Sequence, residues 1–483
     1  MNRPALTLAL STTGAVLVAV DGTVLTVAQP TLQRDLHAGF AQVQWTSTGY
    51  LIAVASLLVL AGRLGDRYGH RRVFALGTLG FGAACAGIGL APGIGWVVAL
   101  RIVQGVCGAL LQPATLGMLR AAYPPDRLAT AIAVRTSAIG ASAAVGPVLG
   151  GALVTAFGWR AVFALQVLPA LAVGALALVA RPQRGPARTT AAPVRLDPLG
   201  AALLGTGLAC LVHTLVALPG TGWTTSSVLG SAAAAVAFTA FAVHERRAVD
   251  PLVPADLVRS PAVAASLGVL VAASAALFGT VFLTGYFLQE VLALDPLAAG
   301  LRALPLPVAM VLAAPSAALL QRRCGPRRTT AAATVLLAAG VLVLSRLDEA
   351  SGVLRTGAGF LLLGAGFGTV MVTATAVVVR QAAAAHAGVA GGLQQTAMNI
   401  GPALGVAAAT TAAGLATGGV HAAGPTVGTA LGTAIGPALT VLALVAAAGT
   451  ALTPALPRRT DAEVPGPTEE VPLPADPAPE PAR

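Results

Sequence analysis

Fourteen apolar runs divide the chain, near residues 6–28, 43–61, 73–91, 94–119, 128–156, 160–180, 198–218, 226–243, 261–289, 298–320, 329–346, 353–379, 387–416 and 426–452. Each is about 18–30 residues long, and one helical crossing of a bilayer takes roughly 20. The pattern predicts an all-α membrane protein with fourteen spanning helices. Beyond Leu452 it dissolves into Pro, Glu and Asp, as in Val464-Pro465-Gly466-Pro467-Thr468-Glu469-Glu470, so 453–483 reads as a disordered tail.

The arginines orient these helices. All 29 basic residues are Arg; 22 fall in alternate connecting segments and the two ends, whereas the other connections hold five, Arg34, Arg160, Arg302, Arg346 and Arg355. Excess positive charge marks the cytoplasmic side, so both termini are expected inside the cell membrane. The remaining two, Arg101 and Arg135, lie within apolar runs. Dispersal through short loops explains the net charge of +11 without a nucleic-acid partner. Arg3 ahead of an apolar run has the look of a secretory signal, but Asp21 interrupts the run and no small-residue cleavage site follows.

Composition agrees, with 56% hydrophobic and 10% charged residues and a mean hydropathy of +0.81. The absence of Lys excludes a phosphate-binding Walker loop and Schiff-base chemistry within this chain. Cys85, Cys107, Cys210 and Cys324 have no metal-ligand spacing, and neither a metal nor a cofactor is expected.

Two landmarks recur. Gly146-Pro147-Val148-Leu149-Gly150 returns as Gly401-Pro402-Ala403-Leu404-Gly405, and Gly69-His70-Arg71-Arg72 returns as Gly325-Pro326-Arg327-Arg328, at offsets of 255 and 256. The chain therefore reads as two six-helix halves, 1–181 and 260–452, with a linker and two inserted helices in 182–259. Arg322 stands where the first copy has Asp66.

The densest polar stretch is Gly62-Arg63-Leu64-Gly65-Asp66-Arg67-Tyr68-Gly69-His70-Arg71-Arg72, which the flanking runs make a tight cytoplasmic hairpin. It resembles the loop signature of the major facilitator superfamily, with Gly62, Gly65, Asp66, Arg67, Gly69, Arg71 and Arg72 at the expected places. Val20-Asp21-Gly22-Thr23-Val24-Leu25-Thr26-Val27-Ala28-Gln29-Pro30 resembles the first-helix signature of the fourteen-helix drug:proton antiporter branch, although Gln29 departs from an apolar position. Arg101-Ile102-Val103-Gln104-Gly105 resembles the fourth-helix motif, and Gly140 to Gly151 resembles the fifth-helix signature of exporters.

The resemblance implies the major-facilitator fold, two six-helix bundles about a cavity plus the inserted pair. It also implies proton-coupled export of a small amphipathic or cationic compound such as a drug or antibiotic, by a monomer whose partners are substrate, protons and lipid. Import of a nutrient by proton symport is the alternative within the same fold. An enzyme is not expected, since no HExxH pattern occurs and the deep carboxylate has no second one beside it.

Charges at membrane depth are costly, which marks Asp21, Arg101 and Arg135. Asp21 would bind and release a proton, with Arg101 as its partner or the substrate's. In the fifth helix Gly140, Gly146, Pro147, Gly150 and Gly151 supply a hinge or a seal. Gln112, Gln395 and Asn399 are possible cavity residues, although the helix-13 amides could equally bond to a neighbouring helix. His213 is read as a packing residue, and Glu290 and Asp295 as rim residues.

Overall fold

The computed structural model describes residues 3–38, 40–179, 197–221, 224–248, 250–254, 257, 259–294, 296–348, 351–383, 386–416 and 426–458. The expectations for most of the linker, for Asp295 and for 459–483 lie outside them. Among the described residues the regular structure is helical. The first half of the chain gives α1 (Arg3–Asp35), α2 (Phe40–Tyr68), α3 (His70–Gly89), α4 (Ile94–Ala122), α5 (Pro125–Phe157) and α6 (Arg160–Val179). Then come α7 (Pro198–Thr221), α8 (Thr225–Glu245) and α9 (Pro261–Tyr286), the last running into a π turn (Phe287–Val291). The remainder are α10 (Pro296–Ala303), α11 (Pro305–Leu344), α12 (Val353–Gln381), α13 (Ala387–Ala416) and α14 (Thr426–Leu452).

Eleven stretches of the described residues are long and apolar enough to cross a membrane. One of them, Ala298–Leu344, has 47 residues, about twice what one crossing needs, and it is broken at Gly325. Helices suit this setting because their backbone groups are satisfied internally, and interior prolines such as Pro113, Pro169 and Pro402 are tolerated in bundled membrane helices. The outer surface is apolar, with Leu168, Val179, Leu229, Val236 and Leu354 exposed, the inverse of a water-soluble protein.

Two cores form. One draws on α1–α6, with Phe74, Phe81, Trp159 and Phe163, and the other on α9 and α11–α14, with Leu337, Leu344 and Phe360. Leu116, Leu128, Ile132, Ala314 and Val372 join α4 and α5 to α11 and α12. Val59, Ala201, Leu252, Leu257 and Val389 tie α2, α7 and the segment before α9 to α13.

The repeated motifs occupy matching joints. Gly69 (φ 93°) separates α2 from α3, and Gly325 (φ 79°) breaks α11, both in a region that a side chain disfavours. This corrects the expected hairpin loop: residues 62–68 continue α2, and the turn is the single residue Gly69. The first residues of the stretch read as a tail, 453–458, are described. Thr453–Ala455 form a 3-10 turn, because Leu456 is buried beside Ala265 and Val377 and draws the chain back onto the bundle.

Candidate functional site

Asp21 of α1 and Arg101 of α4 meet inside the first core, each 1% exposed. Arg101 Nη1 donates to Asp21 Oδ2 at 2.7 Å and to Gln104 Oε1 at 2.6 Å. Gln104 Nε2 in turn donates to Asp21 Oδ1 at 3.0 Å, and Gln166 Nε2 of α6 approaches the same oxygen at 3.4 Å. Arg101 Nε donates to the Thr46 carbonyl of α2 at 3.0 Å, and the guanidinium lies 4.3 Å from the Tyr50 ring centroid. Three helices besides Asp21's own thus hold one pair. Breaking such a buried pair by removing one partner costs about 3–5 kcal/mol.

The end of the bundle that carries Gly69 is closed by a second carboxylate. Asp66 Oδ1 accepts from the Gly388 N–H at 2.7 Å, and Oδ2 accepts from the Val389 N–H at 3.1 Å. These are N–H groups in the first turn of α13, which have no partner within their own helix and carry the positive end of its dipole. The Asp66 side chain is fully enclosed, with His70 Nε2 3.4 Å away. Glycines permit the approach. A Cβ at Gly62 would lie 2.9 Å from Val389 Cα, and one at Gly392 would lie 2.6 Å from the Leu58 carbonyl oxygen.

Arg322, the counterpart of Asp66, makes the mirrored contact with opposite charge. Its Nη2 donates to the Asp126 carbonyl at 2.7 Å and to Thr130 Oγ1 at 3.1 Å, both in the first turns of α5. Arg63 donates to the Leu252 carbonyl at 2.8 Å, and Arg71 donates to the Ala177 carbonyl at 2.6 Å. Arg67 stacks over Tyr68, and Arg72 is exposed.

The α5 glycines divide between two neighbours. A Cβ at Gly146 would lie 2.9 Å from Thr23 Cβ, and one at Gly150 would lie 2.8 Å from Val24 Cγ1, both in α1. Gly140 instead faces Met310 and Val311 of α11, where Ser137 Oγ also donates to the Val311 carbonyl at 3.0 Å. The repeat holds here too, since Gly401 packs on Val271 and Gly405 on Ala275, in α9. Gly151 is half-buried; the Pro147 side chain lies outside the described residues.

Of the amides named from sequence, Gln395 Nε2 of α13 donates to Gln112 Oε1 of α4, bridging the two cores. Asn399 donates to its own helix at the Gln395 carbonyl, at 2.8 Å. His213 is exposed and stacks on Trp45 at 5.7 Å. The Glu290 side chain lies outside the described residues, but its backbone falls in the π turn. Arg135 is 2% exposed in α5, apart from the pair. Sequence reasoning passed over Tyr50, Gln104 and Gln166; the spacing of Gln104 three residues after Arg101, and a lone amide in the apolar sixth run, were the available signals.

A many-helix membrane protein with two packed cores, a sealed ion pair and a carboxylate bolt between the cores has the build of a transporter. Residues 12–406 match the Major Facilitator Superfamily, and the chain belongs to that family. It is 41% identical over 410 residues to the tetracenomycin C resistance and export protein of Streptomyces glaucescens, covering 84% of this chain and 75% of the relative. It is 34% identical over 398 residues to a puromycin resistance protein of Streptomyces alboniger, covering 81% and 78%. Among solved structures, the human organic anion transporter MFSD10 has the same fold, with a TM-score of 0.65 at 15% identity, covering 94% of this chain and all of that one.

Proposed function

We propose that this chain exports small amphipathic compounds, of the antibiotic kind that its relatives resist, in exchange for protons across the cell membrane. The Asp21–Arg101 pair carries this reading. A proton exchanged for substrate needs a group that alternates between charged and neutral at depth, and arginine stays protonated in proteins. Asp21 then carries the proton, and Arg101 recaptures the carboxylate once the proton leaves. One proton moving down ~100 mV supplies about 2.3 kcal/mol before any pH gradient is counted.

The arginine bias makes the Gly69 end cytoplasmic and puts both termini inside. The Asp66 contact and the Gln112–Gln395 bond then belong to a state shut toward the cytoplasm, and substrate enters after both part. Reading α11 as two crossings gives fourteen, arranged as two six-helix halves with α7 and α8 between them. The test is Asp21→Asn in inverted vesicles. The expected result is intact insertion and dye binding with loss of proton-driven uptake into the vesicle; uptake at the wild-type rate would refute Asp21 as the carrier.

A further inference from the structure

Among the described residues, Arg135 is a deep cation that the ion pair leaves unexplained. It is 2% exposed, its Nε has no hydrogen-bond partner, and no ion pair reaches it among the described residues. The enclosed carboxylates of Asp21 and Asp66 are already engaged, Asp21 by Arg101 and Asp66 by the α13 N–H groups.

The surroundings of Arg135 follow from its register. Leu128, Ile132, Arg135, Ile139, Ser142 and Gly146 succeed one another at steps of three and four, so they share one face of α5. Leu128 and Ile132 belong to the cluster shared with α11 and α12, Ile139 packs on the second core, and Gly146 packs on α1. Arg135 therefore looks toward the seam between the two halves. At 1.5 Å per residue it stands roughly 15 Å in from the start of α5, and Gln112 and Gln395 stand roughly 12–15 Å in along α4 and α13. At similar depth Thr12 Oγ1, Thr136 Oγ1 and both amide atoms of Gln394 are buried without partners. Among the described residues this layer of the bundle thus holds unpaired polar groups and the uncancelled charge of Arg135.

We infer that Arg135 binds an acidic oxygen of the exported compound, a carboxylate or an ionised phenol on an otherwise apolar body. The inference rests on the export reading and narrows its substrate class: an anion gives the guanidinium the partner that the protein withholds, whereas a cation would meet like charge. Opening of the cytoplasmic end parts Gln112 from Gln395 and admits the ligand to this layer. Arginine suits the role because its planar donors match a carboxylate edge.

The experiment uses two xanthene dyes of like shape and opposite charge, fluorescein and rhodamine 6G. Their binding to the purified full-length chain is read by fluorescence anisotropy. Wild type is expected to prefer fluorescein. Arg135→Gln should weaken fluorescein at least tenfold and change rhodamine 6G less than twofold, while Arg135→Lys keeps part of the fluorescein affinity. A wild-type preference for rhodamine 6G, unchanged fluorescein binding in Arg135→Gln, or equal loss of both dyes in both variants would overturn the assignment. Fluorescein binding that depends on Arg135, without proton-driven dye transport by wild type, would refute the export reading and leave the anion site standing.

Discussion

Replacing Asp66 by Ala should unbolt the Gly69 end of the bundle, and the structure sets the size of the effect. The side chain accepts two backbone hydrogen bonds from the start of α13, at 2.7 and 3.1 Å. Hydrogen bonds to a charged group contribute about 1.5–3 kcal/mol each, and a helix N-terminus adds about 0.3–1 kcal/mol. Alanine frees the site for water, which restores part of the lost solvation, so the closed state should lose roughly 2–4 kcal/mol. At tenfold per 1.4 kcal/mol this moves the equilibrium roughly 30- to 700-fold toward opening. Spin labels at Arg72 and Arg328, both exposed at this end, report the separation of the halves once the four native cysteines are replaced. The long-distance population should grow in Asp66→Ala and turnover should fall at least tenfold, while dye binding is not weakened, because the open state is the one that admits the dye. Wild-type distances together with wild-type turnover would refute the bolt.

Gly146→Leu should insert into the membrane yet lose transport, because the new side chain collides with Thr23 and drives α5 from α1; full efflux by correctly inserted protein would contradict this. Gln112→Leu or Gln395→Leu alone leaves a bridging amide unpaired, a penalty of about 1–3 kcal/mol, whereas the double variant removes both. Thermal melting in detergent should therefore show the double substitution costing less than the sum of the singles, and strict additivity would dissolve the coupling.

Helix positions were legible because lipid leaves the chain few options: a run of about 20 apolar residues closes its own hydrogen bonds or does not cross. Charge was legible for the same reason, since Asp21 and Arg101 are conspicuous where any charge is costly, and here they lie 2.7 Å apart. Neutral polar groups were harder to read. Gln104 and Gln166 cost less to bury than a charge and stand out less from their runs, although both reach Asp21. The 62–72 stretch misled because glycines and charges signal a loop in water, whereas here Gly62 brings α2 against α13 and Asp66 caps that helix. Which end of which helix receives Asp66 depends on partners 322 and 323 residues away, beyond any local pattern.

Gly69 as a one-residue joint has a mechanical consequence. No slack separates α2 from α3, so strain at the bolt is not absorbed by a loop and passes instead along α2 as along a rod. Asp66 sits near one end of that rod; Thr46, whose carbonyl grips Arg101, and Tyr50, over which the guanidinium lies, sit near the other, roughly 25–30 Å away at 1.5 Å per residue. A tilt that draws Asp66 from α13 must also shift the two groups that seat Arg101. The Asp66 contact and the ion pair are thereby geared together through one rigid helix, without a relay of side chains between them.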